Sequence, residues 1–478
     1  MSSYERDDVY IDGGWRRSAG GVIEVDSAVT GEIIGRIPDG TADDVKAAVA
    51  AARAAFPGWS QTPVGVRLDA LAQLAKKLDE RSDELTRLIS TEVGTPWRVS
   101  APVQVDQPRR VLDSYRDLMT DFPLEEQIGQ SAVLREPIGV VAAITAWNFP
   151  LQQVIGKVGA ALVTGCTVVV KPSEVAPLSA FVVADILDEI GLPPGVFNLV
   201  SGRGKTVGEE LVGHPDVDMV TFTGSTTAGR RIGEVAARTV KRVALELGGK
   251  SANVILDDAD LARAVKVGVA NCFTNTGQVC TAWTRMLVPR KHLGEVEDLV
   301  RARLATYTLG DPLDPATTMG PLASAAQRER VREYIRVGIA EGANLIYGGL
   351  EEPKDVPAGF FVTPTAFSNV RQDMRIAREE IFGPVLSILP YDTEDEAITM
   401  ANDSEYGLAG AVWSADSDRA YRVARQIRTG AVDINGSFFN VLAPFGGYKQ
   451  SGNGRELGHH GLTEFYELKS VQRAPTEA

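Results

Sequence analysis

A chain of 478 residues exceeds the ~250–300 at which a single core stops growing, so two or more domains are expected. Hydrophobic residues at 44 % and charged residues at 23 % are ordinary for a soluble globular protein, and no apolar run is long enough to span a bilayer. A net charge of −14 repels polyanions, which argues against nucleic acid or an acidic membrane surface as partner.

Three cysteines, Cys166, Cys272 and Cys280, cannot form a complete disulfide set, and no CxxC or Cys/His cluster has zinc spacing, so no metal is expected. The opening "MSSYERDDVY" is charged and lacks the apolar core of a signal peptide. The cytoplasm, where thiols stay reduced, is the expected compartment.

In chain order, short alternating runs between glycines predict strands and turns through about Gly40. "TADDVKAAVAAARAAFPGW" predicts a helix capped by Thr41, with acids in its first turn and a stop near Pro57-Gly58. Leucines at helical spacing predict amphipathic helices over 63–94. Across 166–256 the rhythm changes. Strands at "TVVVKP", "VFNLVS", "DMVTFTG" and "KRVALEL" alternate with helices over 176–190, 206–213 and 226–238. A second series follows, with strands at "RMLVP", "NLIYGG", "FVTPTAF", "PVLSILPYD", "LAGAVWS" and "AVDIN". Its helices are predicted over 295–307, 325–341, 394–401 and 418–427. This alternation predicts two α/β domains with mostly parallel sheets, whose ligands sit at the carboxyl ends of the strands. "KPSE", "SGRG", "TGST" and "ELGG" all fall at such ends.

In "VFNLVSGRGKTVGEEL", Gly202 and Gly204 lie between a strand and a helix, with Gly208 four residues later. The pattern is a GxGxxG fingerprint with its last glycine displaced by one. It reads equally as a tight turn or as a backbone approach to a pyrophosphate, with Gly204 the candidate contact.

Seven motifs taken together are more specific: "WNFP" (147–150), "KPSE" (171–174), "FTGST" (222–226), "ELGGKS" (246–251), "GQVC" (277–280), "EEIFGP" (379–384) and "PFGGYKQSGNGRELG" (444–458). In this order and spacing the chain resembles the NAD(P)-dependent aldehyde dehydrogenase superfamily over nearly its whole length. The resemblance implies a Rossmann-type cofactor domain (1–118 and 138–248), a second α/β catalytic domain (249–450), and a small β oligomerisation arm with the C-terminal segment (119–137 and 451–478). It implies a homodimer or homotetramer, in which "EEQIGQSAVLREP" and "EFYELKSVQR" supply strands that pair across subunits.

The implied reaction converts an aldehyde, NAD and water to a carboxylate and NADH. Cys280 occupies the family's nucleophile position, and cysteine suits the task because its thiolate is intrinsically very nucleophilic. Cys166 and Cys272, in apolar patterns, read as core. Asn148 matches the side-chain donor to the oxyanion, with the Cys280 main-chain N–H as the second donor. Glu246 matches the general base, and its presence argues against a coenzyme-A-acylating outcome. Glu456 resembles an auxiliary proton-relay position, and reads nearly as well as a surface salt bridge.

For the cofactor, Lys171 and Glu174 match ribose ligands, and a carboxylate there favours NAD over NADP. Gly224 and Ser225 match the turn against the pyrophosphate and nicotinamide, Glu380 a nicotinamide-ribose ligand, and Phe382 the packing beneath the ring. Phe149, Trp283 and Phe445 are the candidate walls of the substrate tunnel. Gly156 and Gly159 fall on the helix after "WNFP"; the first, where many relatives are bulky, reads equally as a wider tunnel for medium-chain or substituted aldehydes or as close helix packing. Two alternatives stand beside this reading: an NADP-preferring enzyme, and a catalytically silent dinucleotide-binding relative.

Overall fold

The computed structural model describes residues 4–474. Valine-rich runs with no polar face become the strands Val140–Ile144, Thr167–Lys171 and Met219–Thr223, in which every residue is buried. Burial on both faces is what a helix-covered parallel sheet demands. These strands form the middle of a seven-stranded sheet running Arg242–Glu246, Met219–Thr223, Val140–Ile144, Thr167–Lys171, Phe197–Leu199, Asp8–Ile11, Gly14–Arg17. The first five are parallel, and the N-terminal hairpin closes the far edge antiparallel.

From Val140–Ile144 the chain winds outwards through two strands, then returns to place Met219–Thr223 on the other side. The order therefore reverses between these two strands, and their carboxyl ends open a crevice.

A second seven-stranded sheet holds Asn344–Tyr347, Thr365–Ser368, Val385–Tyr391, Arg285–Pro289, Ala252–Ile255, Gly410–Trp413 and Asp433–Ile434, parallel except at its first pair. A small sheet joins Tyr4–Glu5, Ile33–Asp39 and Gly21–Asp26. The arm pairs Tyr466–Gln472 with Ser131–Pro137 over seven residues, and Ser131–Pro137 with Glu125–Ile128. Two α/β domains with a β arm are thus the architecture. Among the described residues no helix is long and apolar enough to cross a membrane.

Local signals and packing part company at two of the predicted elements. The helix after Thr41 has both reciprocal bonds of a capping box, yet runs through Pro57 to Ser60. Trp59 is buried in that last turn and its Nε1 donates to the Leu162 carbonyl at 3.2 Å, so packing holds the turn that proline would end. Over the predicted 206–213 helix the backbone is a π-turn, Gly204–Gly208, followed by the short helix Glu209–Gly213. The helices Gln107–Thr120 and Leu261–Phe273 lie outside the predicted set.

Glu92 shows how a buried carboxyl joins two helices. It is fully buried in Ser82–Val93, and Oε1 accepts from the Leu178 N–H at 3.0 Å, at the start of Leu178–Glu189. Oε2 has no partner, and burial pushes the acid up to about 8. The unfolded chain releases this proton in the ordinary carboxylate range while the native state keeps it. Stability therefore falls as pH rises from there to about 8, then levels. Glu92→Gln keeps the acceptor without the titration. Its melting temperature is expected to gain on the wild type between pH 5 and 8, by thermal unfolding in matched buffers; a pH-independent difference contradicts this.

Candidate active site

The crevice at the strand reversal is built by two loops. Val140–Ile144 leads into Trp147-Asn148, and Met219–Thr223 into Gly224-Ser225. With Cys280, Glu380 and Phe382 these residues line a cleft of about 700 Å³. Ser225 also lines a neighbouring recess of about 1480 Å³ that reaches Gly204 and Glu174, so the cleft and the recess adjoin at this residue along one groove-like face. The Ser225 Oγ accepts from the Ala228 N–H at 3.3 Å and caps the helix Thr226–Ala236, whose N-terminus faces the groove through Thr227 and Ala228.

At the far end the Lys171 ammonium, buried and lowered in pKa by that burial, donates to the Pro172 carbonyl at 2.8 Å and to Glu174 at 3.3 Å. The Glu174 carboxylate remains accessible on the groove wall. A carboxylate for hydroxyls, a helix N-terminus for phosphates and an aromatic pair beyond them fit a dinucleotide. Gly224 has a further reason to be glycine: a Cβ there would lie 2.4 Å from the Phe222 ring.

At the inner end, Phe382 has φ +62 and meets Trp147 edge-on, with ring centroids 5.4 Å apart at 86°. Glu380 accepts from the Gly249 N–H at 3.0 Å, and any Cβ on Gly248 would strike its carboxylate. The helix Ala325–Ala340 adds two residues to the cleft that no sequence signal marked. Gln327 Nε2 donates to the Phe382 carbonyl at 2.6 Å, and Arg330 Nη2 to the Glu380 carbonyl at 2.5 Å.

Cys280 follows a sharp loop. Asn275, Thr276 and Gly277 have φ of +50, +57 and +72. Left-handed backbone at a β-branched threonine costs ~1–3 kcal/mol, so the surroundings must hold it. The Thr276 hydroxyl donates to the Gly320 carbonyl at 3.0 Å, and the Gln278 Oε1 accepts from the Ala323 N–H at 2.9 Å. The turn brings Cys280 to the cleft wall partly exposed, while Cys166 and Cys272 are buried. Burial, then the charges of Glu380 and Glu246, push the Cys280 thiol well above its ordinary value. Asn148, 3 % exposed, donates Nδ2 to the Gln278 carbonyl at 2.9 Å; one N–H is used there and the amide has a second.

Glu246 ends its strand 3 % exposed, with no partner on either carboxylate oxygen. Desolvation first, and the Glu456 charge second, hold its acid well above the usual carboxylate range. Lys157, 1 % exposed, forms an ion pair with Glu456 and pulls the other way on Glu246. Sequence reasoning passes over Lys157, since a lysine at an amphipathic helix position reads as solvated.

None of the three tunnel candidates lines this cleft. Phe149 is half-buried at the N-cap of Pro150–Thr164. Phe445 is half-buried, paired through its main chain with Glu456 and edge-on to Phe439 at 6.0 Å. Trp283, at 2 % exposure, packs in the core beside Cys272, Phe273 and Met286 and does not line the cleft. Gly156 has room: a Cβ would touch only Glu456 at 3.8 Å and Gln152 at 3.9 Å. At Gly159 it would press on Tyr115 at 2.8 Å, which is helix packing.

Residues 15–471 match the model of the aldehyde dehydrogenase family. The 3-succinoylsemialdehyde-pyridine dehydrogenase of a Pseudomonas species is 52 % identical over 464 residues, 97 % of each chain. Aldehyde dehydrogenase C of Pseudomonas syringae, solved as a cysteine-to-alanine mutant with NAD+ and octanal, superposes with a TM-score of 0.97 at 47 % identity. That match covers 99 % of this chain and 98 % of that one. The Mycobacterium tuberculosis aldehyde dehydrogenase with NAD+ gives a TM-score of 0.97 at 44 % identity, with 99 % of both chains covered.

Proposed function

The chain belongs to the aldehyde dehydrogenase family, and on that premise we propose that it oxidises an aldehyde to the free carboxylate, with NAD and water, through Cys280. The observation that carries this reading is that Cys280 and Asn148 share one cleft wall, at the inner end of a groove suited to a dinucleotide.

In the proposed sequence the Cys280 thiol first releases its proton to water, and the thiolate so formed adds to the aldehyde carbon with formation of a C–S bond. The carbonyl oxygen becomes an oxyanion, which accepts from the free Asn148 N–H and the Cys280 main-chain N–H; each such donor is typically worth ~2.7–4 kcal/mol. Lys171, Glu174, Gly204, Gly224, Ser225, Glu380 and Phe382 would hold NAD, which would supply the hydride acceptor needed to turn the adduct into a thioester. Glu246 then takes a proton from water as that water adds to the thioester carbon. The C–S bond breaks, Cys280 returns, and the proton leaves Glu246 towards the Glu456–Lys157 pair. Aldehyde, NAD and water give carboxylate, NADH and two protons. A catalytically silent relative is disfavoured because Cys280, Asn148 and Glu246 are all in place.

We assign nucleotide binding to 1–118 and 138–248, chemistry to 249–450, and subunit contacts to 119–137 and 451–478. The arm supports a homodimer or homotetramer, since Ile128, Leu468 and Val471 on its strands are exposed apolar side chains. The cytoplasm suits three free thiols. A medium-chain or substituted aldehyde is the proposed substrate class, in line with the octanal bound by the Pseudomonas syringae enzyme; Gly156 lies beside Lys157 and Glu456 and not on the cleft wall.

Cofactor choice rests on Glu174, whose charge would oppose a 2′-phosphate. Arg203, Lys205 and Arg231 line the same recess, and are the cations such a phosphate would meet. Glu174→Gln is expected to raise the NADP-to-NAD ratio of kcat/KM on the order of 10-fold, the scale of one like-charge contact near a surface. The check is NADH and NADPH formation with an aldehyde panel, with the product identified as free acid. A wild type that already prefers NADP, or a thioester product made only with coenzyme A, would overturn the reading.

A further inference from the structure

Asn148 and the loop carrying Cys280 come from different domains, 130 residues apart. A closed set of buried polar bonds ties them together, and most of it lies outside the motifs. The Asn148 main-chain carbonyl accepts two side-chain donors: Gln104 Nε2 at 2.9 Å and Asn275 Nδ2 at 2.9 Å. Gln104 Nε2 also donates to the Thr95 hydroxyl at 3.1 Å, and that hydroxyl donates to Asn275 Oδ1 at 2.6 Å. Asn148 Nδ2 closes the set on the Gln278 carbonyl, two residues before Cys280. Thr95, Gln104, Asn148, Asn275 and Gln278 are all buried.

Both flanks carry unusual backbone. Gln104 projects from a seven-residue π-helix, Ser100–Asp106, and Asn275 opens the left-handed run of three residues. Isolated π segments and φ > 0 at non-glycine positions persist only where surrounding bonds impose them. Here both present an amide to one carbonyl oxygen.

We propose that Gln104 and Asn275 are positioning residues, with Thr95 fixing the orientation of both. They hold the Asn148 main chain, and with it the oxyanion-donating amide, at a set distance from Cys280. This rests on the reading of Asn148 and Cys280 given above. Neither Gln104 nor Asn275 lines the cleft, so each acts through Asn148. A low-dielectric interior strengthens each of these bonds and penalises a missing partner, so loss of one donor moves the carbonyl it held.

The test uses Gln104→Met, which keeps the volume, and Asn275→Asp, which keeps the shape but removes the donor. Each is made in the wild type and in Asn148→Ala. In the wild type each is expected to lower kcat about 10- to 100-fold, the scale of a misplaced reacting group, with KM for NAD unchanged. In the Asn148→Ala background the further loss is expected to vanish, because the group being positioned is gone. Thermal unfolding identifies any variant that fails to fold, and the other then decides. Full activity in both variants, or losses that multiply with that of Asn148→Ala, would overturn the inference while leaving the nucleophile reading intact. A wild-type rate in Asn148→Ala alone would strike down the reading of Asn148 itself, and the inference with it.

Discussion

Cys280→Ala is expected to lower aldehyde-dependent NADH formation by about 10⁴- to 10⁶-fold, since removing a nucleophile removes the covalent route and leaves only binding and oxyanion stabilisation. Binding of NAD, followed by calorimetry, is expected to persist, because Cys280 lies at the inner end of the groove and Glu174 and Gly204 at the other. The other two thiols are the control. Cys166 is closed in by Thr164 and the Phe465 carbonyl, and Cys272 sits in a core cluster with Met286 and Leu386 of the second large sheet. Burial raises both thiols, as it raises Cys280, so access to the cleft is what separates the three. Alanine at either position is expected to change stability and to spare turnover. A Cys280→Ala enzyme that still oxidised aldehydes would remove the basis of the mechanism.

Glu246→Gln is expected to split the reaction at its midpoint. Attack and hydride loss do not require this carboxylate, so mixing the variant with aldehyde and NAD is expected to release one burst of NADH per site. Steady turnover then falls by ~10²–10⁴-fold, the range general bases supply. The pH dependence follows from burial. Only ionised Glu246 can take a proton from water, and its acid is held above the usual carboxylate range. Wild-type turnover is therefore expected to fall as pH drops through that raised value, and the limb is expected to be missing in the glutamine variant. Stopped-flow absorbance over a pH series checks both points. An unchanged steady rate, or an acid limb that survives in Glu246→Gln, would assign the base to another group.

How much of this was legible in the sequence depends on how far each residue's partner lies along the chain. The capping box at Thr41 is complete within three residues and reads directly from "TADD". The parallel strands read from their valine runs because burial on both faces leaves no polar alternation to confuse. Cys280, Asn148 and Glu246 read from motifs, whose order along the chain is itself local information. Lys157 does not: its partner Glu456 is 299 residues away, and only that pairing turns a helix-surface lysine into a buried charge. Gln104 and Asn275 are silent for the same reason, joined to each other only through the Asn148 carbonyl and the Thr95 hydroxyl, both distant in the chain from at least one of them. Trp283 illustrates the reverse error, since nearness in sequence to Cys280 says nothing of direction. The chain turns after the cysteine and sends the indole into the core.

The central claim is a covalent bond between Cys280 and the substrate's acyl carbon. The direct measurement is the mass of the Glu246→Gln protein after mixing with aldehyde and NAD, followed by peptide mapping. The account requires a gain equal to the acyl group, carried by the peptide that contains Cys280 and absent when NAD is omitted. An unmodified protein after a full burst of NADH, or an acyl group found on another residue, would contradict it.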